Sequence, residues 1–385
     1  MTSSSHQVLE NSRPASPTRD FIAELGVRPI LNASGTFTKL TGSLMPPEVT
    51  EAWQQAAQDF YRLDEFHDAV GKRIASLVGA QAAMVSAGAA SALTLGTAAC
   101  ITGSCEERIH RLPDTSGMPN QVIIQKSHRF NYDHAVHNCG ITFVEVETAE
   151  QLGAAVNPQS AMMLFFNAAD PPGQIHAADF SRLGREHGLP TFIDCAGDVP
   201  PVENLSRFLK LGFDLVTVSG GKGIQGPQST GLLMGRRDLV EAARLNTLPN
   251  SDTIGRGMKV NKEEMLALMV AVELYLERDH ERDWQLWEKG IQTIAEKLQA
   301  ISGVETETYI PEIANQTPHL RIRWNQEQIQ IGPQEAIGEL SEGEPSIEVV
   351  PEKEDLEVTV WMLREHEVQL VADRIAEVLE SNRLT

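Results

Sequence analysis

Apolar residues recur along this chain in two rhythms. From Ala82 onward, short runs dominated by apolar and β-branched residues alternate with stretches whose apolar positions return every three or four residues. The short runs are Ala82-Ala83-Met84-Val85-Ser86, Val122-Ile123-Ile124-Gln125, Thr142-Phe143-Val144-Glu145-Val146, Ala161-Met162-Met163-Leu164-Phe165-Phe166, Thr191-Phe192-Ile193-Asp194 and Phe213-Asp214-Leu215-Val216-Thr217-Val218. Strands buried on both faces read this way, and helices between them imply an α/β fold on a parallel or mostly parallel sheet. A small-residue helix from about Gly88 to Ile101 and another near Phe180 to His187 fall between the runs. Before them, Phe21 to Leu31 reads as a short helix and strand. Pro46 and Pro47 open a helix to about Phe60, since proline is tolerated in a first turn, and Ala69 to Val78 forms another.

The second half changes character. Lys262 to about Leu298 is periodic enough for one long helix or a pair, leading out of the first domain into a smaller one. There, His319 to Trp324 and Leu356 to Trp361 alternate as half-buried strands, and Glu367 to Leu379 closes the chain as an amphipathic helix. Gln326 to Asp355 is acidic and yields no clear pattern. At 385 residues the chain exceeds one ordinary core. The expected division is a disordered tail over residues 1–20, a large domain with an N-terminal arm over 21–255, and a small α+β domain over 256–385.

Composition narrows the function. The chain is 41% hydrophobic and 22% charged, and no apolar run is long enough to cross a bilayer. Its first twenty residues are rich in Ser, Pro, Arg and Asn and lack the apolar segment of a signal peptide. Cys100, Cys105, Cys139 and Cys195 lie scattered without metal-ligand spacing, so reduced cytoplasmic thiols and no metal site are expected. A formal net charge of −21 disfavours a large nucleic-acid surface, because phosphate binding relies on Lys and Arg.

Against that background one stretch carries chemistry: Ser219-Gly220-Gly221-Lys222-Gly223-Ile224-Gln225-Gly226-Pro227-Gln228. Its glycines and Pro227 forbid a helix, so Lys222 sits in a bend directly after a strand. The preceding strand ends in Asp194. A carboxylate and a lysine at successive strand ends suit pyridoxal 5′-phosphate (PLP): the amine forms a Schiff base and the acid keeps the pyridine nitrogen protonated. Ligands of such sheets bind beyond the carboxyl ends of strands, where Ser86, His128, Asp194 and Lys222 all fall.

Ser86-Ala87-Gly88-Ala89-Ala90-Ser91 joins a strand to the small-residue helix, where an anion can approach backbone N–H groups. Close helix packing would demand the same small residues. Ser219 offers one more hydroxyl. His128 follows a strand, where its imidazole would stack on a pyridine ring and move protons, unless it is a core histidine. Arg321 and Arg323 share one strand face, and either would clamp a substrate carboxylate. Lys39, Arg256 and Lys259 are candidate cations for a phosphorylated substrate. The alternative for each is an ordinary solvated charge.

These segments, with Asn32-Ala33-Ser34-Gly35-Thr36 and Lys259-Val260-Asn261-Lys262, resemble fold-type I PLP enzymes of the branch containing bacterial selenocysteine synthase (L-seryl-tRNA selenium transferase). Within that branch the chain is most similar to D-glucosaminate-6-phosphate ammonia-lyase-like proteins, over Pro29 to Leu379. The resemblance implies a seven-stranded-type sheet between helices, Lys222 as Schiff-base lysine, Asp194 as pyridinium partner and His128 as stacking ring. It also implies that Gly88, Ala89 and Ser219 hold the cofactor phosphate. Homo-oligomers would bring Gly226 and Gln228 to a neighbour's phosphate. The transferase usually has Gly-Asp-Lys where this chain has Gly220-Gly221-Lys222, and a tRNA-binding domain where this chain has only a short tail. An α,β-eliminating lyase on a small hydroxyamino acid or amino sugar acid is therefore the expectation. Alternatives are β-replacement, aldol cleavage, racemisation, or a silent PLP-fold binding module.

Overall fold

The computed structural model describes residues 20–352 and 354–384. The tail expected over residues 1–20 lies outside these except for Asp20, whose carboxylate accepts the N–H groups of Ile22 and Ala23 and so caps the first helix.

The chain begins α1 (Phe21–Leu25), β1 (Ile30–Ala33), α2 (Pro47–Ala56), α3 (Leu63–Val78), β2 (Ala82–Ser86), α4 (Ala89–Thr102) and α5 (Glu106–Arg111). It continues β3 (Gln121–Gln125), α6 (Asp133–His137), β4 (Thr142–Val146), α7 (Ala149–Ala155), β5 (Ser160–Phe166), α8 (Ala177–His187) and β6 (Thr191–Asp194). Next come α9 (Asn204–Leu211), β7 (Leu215–Ser219), β8 (Gly231–Gly235), α10 (Arg237–Leu245) and α11 (Lys262–Glu277). The last part holds α12 (His280–Gln299), β9 (Val304–Tyr309), β10 (His319–Trp324), α13 (Pro333–Glu342), β11 (Ser346–Val349), β12 (Leu356–Thr359) and α14 (Glu365–Ser381).

Strands β2-β8-β7-β6-β5-β3-β4 form a seven-stranded sheet, parallel except for β8, which runs against both neighbours. Successive strand side chains point to opposite faces, and here both faces are covered. Phe165, Ile193 and Val216 belong to one core, while Leu164, Phe192 and Leu215 belong to the other. That is why the sequence shows continuous apolar runs. β8, Gly-Leu-Leu-Met-Gly, was not anticipated: it is too short to announce itself by period.

A third core lies under α12, α13 and α14 against an antiparallel sheet β12-β10-β9. The expected division at residue 255 precedes α11, yet Met265, Leu268, Ala271 and Val272 of that helix pack in the first core. Ile291, Ile294 and Leu298 of α12 pack in the third, so the cores part between α11 and α12. Ala33 of β1 also joins the third core, because β1 pairs in parallel with β11. No helix among the described residues is long and apolar enough to cross a membrane.

Candidate active site

β6 carries Asp194 to the sheet's carboxyl edge, in register with Phe166 of β5 and Thr217 of β7. Asp194 is 4% exposed and its Oδ1 accepts the Ala196 N–H at 2.9 Å. Burial pushes its carboxyl up to about 6, and the Ala196 N–H and the Lys222 charge pull the other way.

Two residues beyond Thr217, β7 ends at Ser219 and the chain turns back on itself. The Gly220 N–H donates to Thr230 O at 2.9 Å and the Gly226 N–H to Gly220 O at 2.8 Å. A Cβ on Gly221 would stand 2.3 Å from Gln228 Cα, so only glycine fits this crossing. Lys222 leaves the bend towards the turn after β6, and its Nζ lies 3.6 Å from where a Cβ of Gly197 would stand. Burial lowers its pKa, opposed by Asp194 and then by Asp198. No ion pair joins the lysine to either acid among the described residues, although both carboxylates act on its charge through space.

A second set of residues stands at the neighbouring strand ends. Ser86 of β2 and Ser219 of β7 both pair with Gly231 of β8, so they stand about 10 Å apart, two strand spacings. A Cβ on Gly231 would meet Ala89 N at 2.5 Å, and its absence lets the start of α4 settle onto β8. Gly88 (φ 87°) precedes α4, whose first turn has no side-chain cap. Ser86 Oγ donates to Gly88 O at 3.0 Å and shapes this corner. Ser91 Oγ is buried without a partner. An uncapped helix start beside a buried hydroxyl that has no partner among the described residues suits a phosphate, and Lys222 and Asp194 follow strands of the same sheet. The residues present therefore fit PLP.

Three expected roles meet a different geometry. His128 has no accessible surface. Its Nδ1 receives the Phe166 N–H at 3.1 Å, its Nε2 lies 2.9 Å from the Gln125 amide nitrogen, and its ring meets Phe165 edge-on at 4.4 Å. Burial lowers its pKa to about 4. It is a neutral buried ring that ties β3 to β5, with no open face for stacking. Gly226 is no phosphate donor either: its N–H is engaged by Gly220, and a Cβ there would strike Leu268 at 2.7 Å. Arg321 is likewise no free clamp. Its Nε pairs with Glu357 at 2.6 Å, NH1 with Glu307 at 3.1 Å, and its guanidinium covers Tyr309 at 4.5 Å.

The remaining candidates have no side-chain hydrogen-bond or ion-pair partner among the described residues. Gln228 is exposed at the end of the lysine bend. Lys39 is exposed in a 3-10 turn whose continuation, Gly42-Ser43, packs on that bend, with Ser43 Oγ donating to Gly221 O at 3.0 Å. Arg256 is half-buried in the turn before α11, and Lys259 is exposed.

The sequence reading missed Asp198, Asn167 and Asn315. Asp198 is 3% exposed and accepts from Asn167 Nδ2 at 3.0 Å. The Asn315 N–H donates to Gly197 O at 3.0 Å, while Thr36 Oγ1 reaches Asn315 Oδ1 at 3.3 Å. The small domain and the Asn32 loop thus close over the turn after β6. The only signal was the second acid in Asp194-Cys195-Ala196-Gly197-Asp198.

A mostly parallel seven-stranded sheet, a lysine bend and a buried acid at adjacent strand ends define a fold-type I PLP-dependent enzyme. The description of the L-seryl-tRNA selenium transferase family matches residues 30–302, and the chain belongs to that family. It is 27% identical to a D-glucosaminate-6-phosphate ammonia lyase of Salmonella typhimurium, over 94% of this chain and 99% of that protein. A 5′-C-glycyluridine monooxygenase-decarboxylase of a Streptomyces species is 30% identical over 77% of this chain and 75% of its own. The solved structure of a D-glucosaminate-6-phosphate ammonia-lyase superposes with a TM-score of 0.82 at 26% identity, covering 95% of this chain and all of that one. The protein is an enzyme and its cofactor is PLP.

Proposed function

We propose that the protein is an α,β-eliminating ammonia-lyase acting on a small hydroxyamino acid or an amino sugar acid. The observation that carries this reading is the placement of Lys222, Asp194 and the start of α4 at strand ends of one sheet, in a chain that spans 99% of an amino sugar phosphate ammonia lyase. Bound PLP supplies an electron sink that makes the carbon beside the substrate amine acidic. Lys222 would be the covalent anchor and, as a free amine, the base that takes the α-proton. Its burial favours the neutral amine this requires. Asp194 would answer the pyridine nitrogen, and Gly88, Ala89, Ser91 and Ser219 would hold the phosphate. Loss of the β-hydroxyl and hydrolysis give a keto acid and ammonia, with the water released in the first step regained in the second.

A phosphorylated substrate would call on Lys39, Arg256 or Lys259, none of which has a carboxylate partner among the described residues. The net charge of −21 favours a small molecule over tRNA. We also place the enzyme in the cytoplasm as a homo-oligomer, with the exposed Gln228 turned towards a neighbouring copy. The similarity to a monooxygenase-decarboxylase favours a second reading, in which the same residues serve cleavage of a different bond at the α-carbon. A screen of hydroxyamino acids and amino sugar acids separates the two: equal amounts of ammonia and keto acid support the lyase. Carbon dioxide release, or α-proton exchange without ammonia, contradicts it.

A further inference from the structure

Two buried carboxylates, not one, face the lysine. Asp194 has its place opposite the pyridine nitrogen, but nothing so far uses Asp198. Its Oδ2 accepts from Asn167 and its Oδ1 accepts no hydrogen bond among the described residues. Its backbone oxygen is fixed by Asn204 Nδ2 at 2.7 Å, so the residue is held on both sides of its Cα. Gly197, between the two acids, puts the turn directly against the Lys222 amine. A buried carboxylate with an idle oxygen is costly unless a cation answers it. The Lys222 charge answers it, pulling the carboxyl's pKa down.

From this arrangement we infer that Asp198 is a positioning residue for Lys222: its charge holds the proton on the lysine nitrogen when that nitrogen is bound to the cofactor. Asp194 cannot do this alone, because the pyridine nitrogen competes for it. The titratable groups facing Asp198 are Asp194, Lys222 and the buried Cys195 thiol; Asn167 is its neutral donor, and the nearby Ala314 N–H lowers its pKa without a hydrogen bond of normal geometry. Burial raises Asp198 to about 6, with Asn167 pulling it back, so it is charged at neutral pH and neutral in mild acid. Asn167, on the turn after β5, serves to aim the carboxylate.

The inference rests on Lys222 being the cofactor-bearing lysine. The test is a pH titration of the bound cofactor's visible band in the full-length holoenzyme, wild type against Asp198→Asn and Asp198→Ser. Both substitutions remove the charge, and Asp198→Asn keeps an acceptor for Asn167. The band's midpoint should fall by about one pH unit or more, a tenfold loss of proton affinity, and Asp198→Glu should restore most of it. An unchanged midpoint in a neutral variant that retains the band overturns the inference and leaves Lys222's role intact. Should both neutral variants lose the cofactor, the pH dependence of Lys222 acylation by acetic anhydride, read by mass spectrometry on the full chain, takes its place. A midpoint lowered in the same sense supports the inference, and an unmoved one overturns it. A visible band that survives Lys222→Ala overturns this inference together with the assignment beneath it.

Discussion

Gly197 stands directly against Lys222: a side-chain carbon on the glycine would lie 3.6 Å from the lysine Nζ. That distance is an ordinary contact, and Gly197 is not among the glycines of positive φ. Gly197→Ala should therefore fold normally while occupying space that the cofactor needs. We expect an unchanged melting temperature for the cofactor-free chain and at least tenfold weaker PLP binding in an absorbance titration. Equal PLP affinity would show that the cofactor lies elsewhere.

Gly221 is the opposite case. A Cβ there would come 2.3 Å from Gln228 Cα, backbone that cannot rotate away. Gly221→Ala should cost about 3 kcal/mol in urea unfolding and release the cofactor. Full stability would mean that the bend is looser than described.

Arg321 answers to the fold rather than to substrate. Removing its guanidinium strands Glu357, whose side chain is 4% exposed. Tyr309 OH still donates to that carboxylate at 2.5 Å. Arg321→Gln should lower stability by about 2 kcal/mol and leave KM within twofold. A large KM increase at unchanged stability would restore the arginine to the substrate.

The pH dependence of stability has a sign that can be worked out for His128. Its folded pKa, about 4, lies below the ordinary 6.5. Between those values the unfolded chain binds the extra proton and the folded chain does not, so stability falls as pH drops through that window. Asp194 and Asp198 oppose this, because their carboxyls are raised from 3.8 to about 6 and the unfolded chain binds fewer protons there. The His128 contribution is isolated by comparison with His128→Gln. The wild-type advantage should shrink by up to about 1.4 kcal/mol per pH unit between pH 6 and pH 4. A constant difference would mean that His128 titrates normally.

Much of this architecture was legible because burial on both faces leaves its mark: β5 and β6 are apolar at nearly every position, and the lysine bend announces itself through Gly220, Gly221, Gly226 and Pro227. Contacts distant in sequence were not legible. Arg321 looked available because Glu307 and Glu357, its partners, sit on strands β9 and β12 that only the folded sheet brings alongside. His128 looked like a stacking ring because the sequence cannot show that Phe166 and Gln125 already face its two nitrogens. Asp198 went unread because a turn, not a period, brings it back to the lysine. Residues 326–355 hid α13 and β11 beneath an acidic surface.

Borohydride reduction of the native full-length enzyme, followed by peptide mass spectrometry, addresses the central claim most directly. The account predicts a pyridoxyl group on the peptide containing Lys222. A group found on another lysine, or on none, would contradict it.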